Sequence, residues 1–116
     1  MTRSPDDRWQ RPRPGLVVVP LPEELDVGNS ARTGAELAEA AVQGTIVVAD
    51  MSATRFCDSS AVAALIRADR ALAAAGAQLR LVLTSPAVAR ILAVTGAADV
   101  LSVFPSLEQA TSREDD

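Results

Sequence analysis

The sequence contains no histidine, no lysine and no tyrosine, and a single cysteine, Cys57. Each absence removes a class of chemistry. Without histidine, the usual general base, the Ser-His-Asp relay and the commonest metal ligand are missing. Without lysine there is no Schiff-base amine and no P-loop lysine to hold a phosphate. One thiol excludes an internal disulfide and any zinc site built from several thiolates. Neither a G-x-G-x-x-G nor a Walker A run occurs. Aromatic residues make up only 3% of the chain, too few for a base-stacking platform. There is no run of eighteen apolar residues and no secretory signal pattern at the start, so the chain is expected neither to span a membrane nor to be secreted. A lone cysteine suits a reducing cytoplasm.

What remains is a chain of 116 residues, 48% hydrophobic and 22% charged, enough for one domain with one core. All 11 basic residues are arginine, and the formal charge is −4. The charge is unevenly spread, with residues 1–15 carrying +2 and the rest −6. An acidic domain lacks the basic face that phosphate neutralisation needs, so no nucleic-acid partner is expected.

Residues 1–15 are polar, rich in Pro and Arg and without periodicity, and read as a tail on which Trp9 is the one candidate anchor. Residues 111–116 read as a second, charged tail. The domain between them, residues 16–110, is punctuated regularly. A β-branched run at Leu16, Val17, Val18 and Val19 ends at Pro20 and Pro22 and predicts a strand. A helix capped near Asn29 or Ser30 is expected to run through Leu37, Ala41 and Val42 and to stop at Gly44. Residues 45–49 (TIVVA) read as a strand covered on both faces. After a loop over 50–58, a second helix carries Val62, Leu65, Ile66 and Leu72 on one side, with Arg67 and Arg70 on the other and Gly76 as its stop. Residues 78–83 predict a third strand. Ser85-Pro86 is a helix start with a serine cap and proline in the first turn. Residues 100–104 predict a fourth strand, and Ser106 with Gln109 a capping box for a last short helix. This β-α-β-α-β-α-β-α order implies an α/β domain: a mixed, mostly parallel four-stranded sheet packed with about four helices.

In open α/β sheets, function gathers where strand C-termini meet helix N-termini. The segment Asp50-Met51-Ser52-Ala53-Thr54-Arg55-Phe56-Cys57-Asp58-Ser59-Ser60-Ala61 is the conspicuous one of that kind, packing acids, adjacent hydroxyls and a thiol ahead of an amphipathic helix. The unpaired N–H groups and dipole of a helix start can accommodate a phosphate on Ser59 or Ser60, with Asp58 opposing it. Spacing alone favours the simpler role, with Asp58 or Ser59 capping the helix; a cap and an exposed hydroxyl are compatible. Cys57 reads as a core thiol, since it has no His or Lys to activate it and Asp58 beside it to raise its pKa. Asp50 is expected to face solvent or brace the loop after it. Glu23, Glu24 and Asp26 form either a solvated loop or an acidic rim that recognises an Arg-bearing partner.

The segment running from Asp50-Met51-Ser52 through Phe56-Cys57-Asp58-Ser59-Ser60-Ala61-Val62 resembles the signature of bacterial STAS domains of the anti-sigma-factor antagonist kind, which read Asp-Leu-Ser, then Phe-Ile-Asp-Ser-Ser-Gly-Leu. Glu24-Leu25-Asp26 resembles their Gly-Glu-Leu-Asp element. Residues 78–88 resemble their third strand and following helix start, and Phe104-Pro105-Ser106-Leu107 begins a match to their closing element. The resemblance implies a protein that is a substrate rather than an enzyme, needing no cofactor or metal. An anti-sigma factor with serine kinase activity would phosphorylate Ser59, with Ser60 the alternative. The unphosphorylated form would bind that anti-sigma factor and release a sigma factor, and a serine phosphatase would act transiently to reset the switch. Glu24, Asp26, Asp58, Ser59, Ser60 and Ala61 would form the partner-binding surface. The protein would be cytoplasmic and monomeric when free. The alternative within the family is a non-phosphorylated STAS interaction module of a stress-signalling or transport complex. Three departures stand out: Ala61 where the family has glycine, Glu23 in place of the glycine of Gly-Glu-Leu-Asp, and a Pro/Arg tail where a first edge strand is expected to be missing. An enzyme using Cys57, Asp58 and Ser59 lacks a base.

Overall fold

The computed structural model describes residues 5–112. A 3-10 turn at Pro5–Arg8 leads into β1 (Gln10–Arg13) and β2 (Leu16–Pro20), followed by the two-residue strand β3 (Glu24–Leu25) and helix α1 (Ser30–Glu39). Next come β4 (Ile46–Met51), β5 (Phe56–Cys57), α2 (Ser59–Ala74), β6 (Gln78–Leu83) and α3 (Pro86–Val94). A 3-10 turn at Ala97–Asp99, strand β7 (Ser102–Phe104) and helix α4 (Leu107–Thr111) complete the domain.

The main sheet has five strands in the order β1-β2-β4-β6-β7. β2, β4, β6 and β7 run parallel, each crossover carrying a helix, as parallel neighbours require. The period of two along each strand sorts the side chains onto two unequal faces. Val17, Val19, Val47, Ala49, Met51, Leu79, Leu81 and Leu83 turn toward α1, α2 and α3, forming the main core with Leu37, Leu65, Leu72 and Leu92. Leu16, Val18, Val48 and Val82 turn the other way, toward Ala110 of α4 and Phe104. Helices thus crowd one face, and a five-residue helix covers the other.

The fifth strand corrects the sequence reading. Residues 10–13, expected within the tail, pair antiparallel with β2, Gln10 opposite Val18 and Arg13 opposite Leu16, so the edge strand expected to be missing is present. Pairing of this kind uses the main chain and tolerates exposed Arg and, on an edge strand, Pro12. Three side chains then fasten the segment. Trp9 packs against the core and donates from Nε1 to Glu36 Oε2 at 2.8 Å, Arg8 pairs with the same carboxylate at 2.6 Å, and Arg13 donates to the Thr111 carbonyl at 2.7 Å. Residues 1–4 of that expected tail lie outside the described residues, as do 113–116 of the other; Thr111 closes α4.

Most local signals hold. Ser85 Oγ accepts from the Val88 N–H with Pro86 in the first turn, and Ser106 Oγ accepts from Gln109 N–H. Gly76, at φ +78°, ends α2 with the paired bonds Ala77 N–H to Leu72 O and Gly76 N–H to Ala73 O. Two elements are shorter than expected. α1 ends at Glu39, leaving Val42 exposed, and β7 starts at Ser102 because the 3-10 turn takes the chain as far as Asp99. No helix among the described residues is long and apolar enough to cross a membrane.

Candidate functional site

The site lies at the C-terminal ends of the central strands, where β3 and β5 form a separate parallel pair, Glu24 opposite Phe56 and Leu25 opposite Cys57. This ladder brings two segments 32 residues apart in sequence into contact, and Asp58 joins them. Its backbone is extended, as an N-cap requires, and Oδ1 accepts from the Ala61 N–H at 3.0 Å. Oδ2 accepts from the Val27 N–H at 3.2 Å, and the Asp58 N–H donates to the Leu25 carbonyl at 3.2 Å. One carboxylate therefore both starts α2 and holds the loop before α1.

That loop is also tied to itself. Asp26 Oδ1 accepts from the Gly28 N–H at 2.9 Å, and the Asp26 carbonyl accepts from Ser30 N–H at 2.8 Å. Asn29, expected as a possible helix cap, has another role. Its Oδ1 accepts from the Asp26 N–H at 3.0 Å and its Nδ2 donates to the Glu24 carbonyl at 2.8 Å, so α1 starts with no side-chain cap bond from it. A second brace lies beneath: buried Thr54 donates from Oγ1 to the Pro22 carbonyl at 2.8 Å, and Arg55 N–H donates to Glu23 O at 2.7 Å. Asp50 Oδ1 accepts from the Ser52 N–H at 3.0 Å, the loop-bracing role expected of it.

With capping assigned to Asp58, the Ser59 hydroxyl is left exposed at the first position of α2, with no hydrogen bond among the described residues. Ser60 is half-buried. Glu24 is exposed and Asp26 half-exposed, on the segment that Asp58 ties to the start of α2 through the Val27 N–H. Ala61 is different. It is fully buried in the main core, so its side chain offers no surface to a partner, and the methyl that replaces a glycine is accommodated internally. Glu23 forms an exposed ion pair with Arg55 at 3.2 Å, a contact worth little in water. Cys57 is 2% exposed, and burial, then the Asp58 charge, pushes its thiol up to about 11. It stays protonated at neutral pH and is a core residue rather than a nucleophile.

Two surface residues escaped the sequence reading. Val27 and Phe56 are 77% and 50% exposed, one on each of the joined segments. A two-residue strand is too short for its alternation to show which side chain faces out, and only the apolar character of these residues in a polar loop could have marked them.

Asp58→Ala is expected to cost about 2 kcal/mol in chemical denaturation, since it removes an N-cap and leaves the Val27 N–H without its acceptor. Asp58→Asn, which keeps an acceptor oxygen, should cost less than half of that; equal losses would remove the capping account.

Residues 10–110 match the STAS domain family. With most of its length matched, the chain belongs to that family. No curated protein matches the sequence significantly. Among solved structures, an anti-sigma factor antagonist from Mycobacterium paratuberculosis superposes with a TM-score of 0.79 at 21% identity, covering 93% of this chain and 92% of its own. A Thermotoga maritima protein assigned as an anti-sigma factor antagonist gives a TM-score of 0.75 at 14% identity over 88% of each chain. Its solution structure gives the same score over 90% of this chain and 85% of that one. At these identities the likeness is one of fold.

Proposed function

We propose that this STAS domain is an anti-sigma factor antagonist whose partner binding is switched by phosphorylation of Ser59. The observation that carries the reading is the Ser59 hydroxyl, exposed and unbonded among the described residues on the first turn of α2, with Asp58 already serving as the cap. Membership of the STAS family, and the fold shared with an anti-sigma factor antagonist and with a protein assigned as one, support it.

The chemistry follows from what the chain lacks. A kinase partner supplies the base and ATP. The Ser59 oxygen–phosphorus bond forms as the bond to the γ-phosphorus of ATP breaks, ADP departs, and the hydroxyl proton passes to the kinase. The product carries up to two further negative charges beside Asp58 and on the rim shared with Asp26. A partner surface fitted to the neutral hydroxyl then meets a bulky dianion, and the complex with the anti-sigma factor is lost until a serine phosphatase removes the group. Glu24, Asp26, Asp58 and Ser60 form the remaining contact surface in this reading, and the protein works in the cytoplasm, where sigma factors act.

Incubation with the cognate anti-sigma factor kinase and radiolabelled ATP should label the wild-type chain and leave Ser59→Ala unlabelled. Label retained by Ser59→Ala and lost by Ser60→Ala would move the switch by one residue. Binding without any labelling would instead support a STAS interaction module that does not use the phosphoswitch.

A further inference from the structure

Helix α3 is apolar on more sides than its place in the fold needs. Val88 and Leu92 are buried against the core, yet Ile91 and Val94 are 37% and 77% exposed on another side. A surface helix normally keeps a single apolar stripe for the core. Across from this second stripe stands half-exposed Phe56, and between β5 and α3 runs an open groove of about 520 Å³. The two charged side chains in its lining are both arginines, Arg55 and Arg90, in a chain whose net charge is −4. Arg90 is the only charged residue of α3 and has no ion pair among the described residues, whereas Arg55 already meets Glu23.

We infer that this groove receives an amphipathic helix of the protein partner, with carboxylates flanking its apolar stripe, as a contact separate from the Ser59 hydroxyl. The inference rests on the partner-binding reading above and extends its surface along the chain, since Phe56 lies three residues before Ser59. Ile91 and Val94, one turn apart, meet such a stripe, and Arg90 pairs with its acidic edge. A second copy of this chain fits poorly, because a two-fold contact sets the same patch of both copies face to face, and the charged lining on each side would be arginine alone. A small amphiphile fits poorly too, since walls this exposed cannot enclose most of a ligand's surface.

The test uses the full chain, isotopically labelled, and two synthetic helices of about 16 residues, long enough to hold helical structure. Both carry the same leucine stripe, flanked by Glu in one and by Lys in the other. The Glu peptide should shift the amides of Phe56, Arg90, Ile91 and Val94 and bind about tenfold more tightly than the Lys peptide. Arg90→Glu, a surface change that leaves the fold intact, should reverse that preference, and Ile91→Asp should abolish both. Equal binding of the two peptides, or shifts confined to other surfaces, overturns the inference. So does dodecyl phosphate occupying the same amides more tightly than the Glu peptide, or concentration-dependent shifts there without any peptide. A chain labelled on Ser59 by its kinase but blind to both peptides refutes the groove and leaves the phosphoswitch standing.

Discussion

Ser59→Asp is expected to weaken binding of the cognate anti-sigma factor by about a hundredfold, roughly 2.7 kcal/mol, with the fold unchanged. The size of the effect comes from how little the site can relax. Both oxygens of the neighbouring Asp58 are already engaged, one by the Ala61 N–H that starts α2 and the other by the Val27 N–H across the β3–β5 pair. Asp58 cannot turn away from a new charge without releasing the helix start or the loop. Asp26 is held through one carboxylate oxygen, by the Gly28 N–H. A carboxylate at 59 therefore joins a fixed acidic rim, and a partner fitted to that rim must accommodate all of it. The folded chain itself suffers little, because the dipole at a helix N-terminus favours an added negative charge. Isothermal titration against the anti-sigma factor measures the loss, and Ser59→Ala should bind within about threefold of wild type. Because the rim is open to solvent, added salt should narrow the gap between Asp and Ala. An Asp variant that binds like wild type would leave Ser59 as an ordinary surface residue.

The largest stability loss from a single polar side chain is expected at Arg80. It lies on β6, pointing to the sheet face opposite α1, α2 and α3, and is 2% exposed. Its Nη1 donates to the Ala110 carbonyl at 3.0 Å, and its guanidinium sits 5.4 Å over the Phe104 ring. Arg13 of β1 donates to the next carbonyl, Thr111, so two cations meet the C-terminal end of α4, where the helix dipole favours them. A helix of five residues has no stability of its own and depends on such contacts. Arg80→Ala should cost about 3 kcal/mol, the sum of a cavity, a lost ring contact and a buried carbonyl left unpaired. Arg80→Met keeps most of the volume and avoids burying a charge, so it should cost clearly less. Denaturant melts give the totals, and amide exchange should locate the damage in α4 while α2 remains protected. Equal losses for Ala and Met would shift the account from packing to the charge itself.

These two residues show how far local rules reach. A cap at Asp58 or Ser59 was legible because capping depends only on the following three residues, and the structure selects Asp58. Its bond to Val27 was not legible, because nothing in residues 57–61 refers to a loop about thirty positions earlier. Arg80 sat within a run that reads as a strand, QLRLVL, but whether a charge at its third position meets solvent or a helix end depends on what covers that face. β1 was missed for a related reason. Its Arg and Pro residues lack strand character, and the pairing is set by the free backbone of β2 and by Trp9 and Arg8 anchoring to Glu36. Ala61 was read as part of the partner surface from its place in a motif; burial moves it into the core.

From sequence alone came the strand-helix alternation from β2 to α4, the mostly parallel sheet and a helix after the loop over 50–58, because periodicity, caps and breakers act over a few residues. The missing His and Lys, equally plain there, exclude the catalytic designs that depend on those residues. Only the tertiary structure decided which acids stand together, which apolar side chains remain outside and which end of α4 is held. Those outcomes depend on contacts between segments far apart in the chain, and burial and charge pairing there exist only once the sheet has formed.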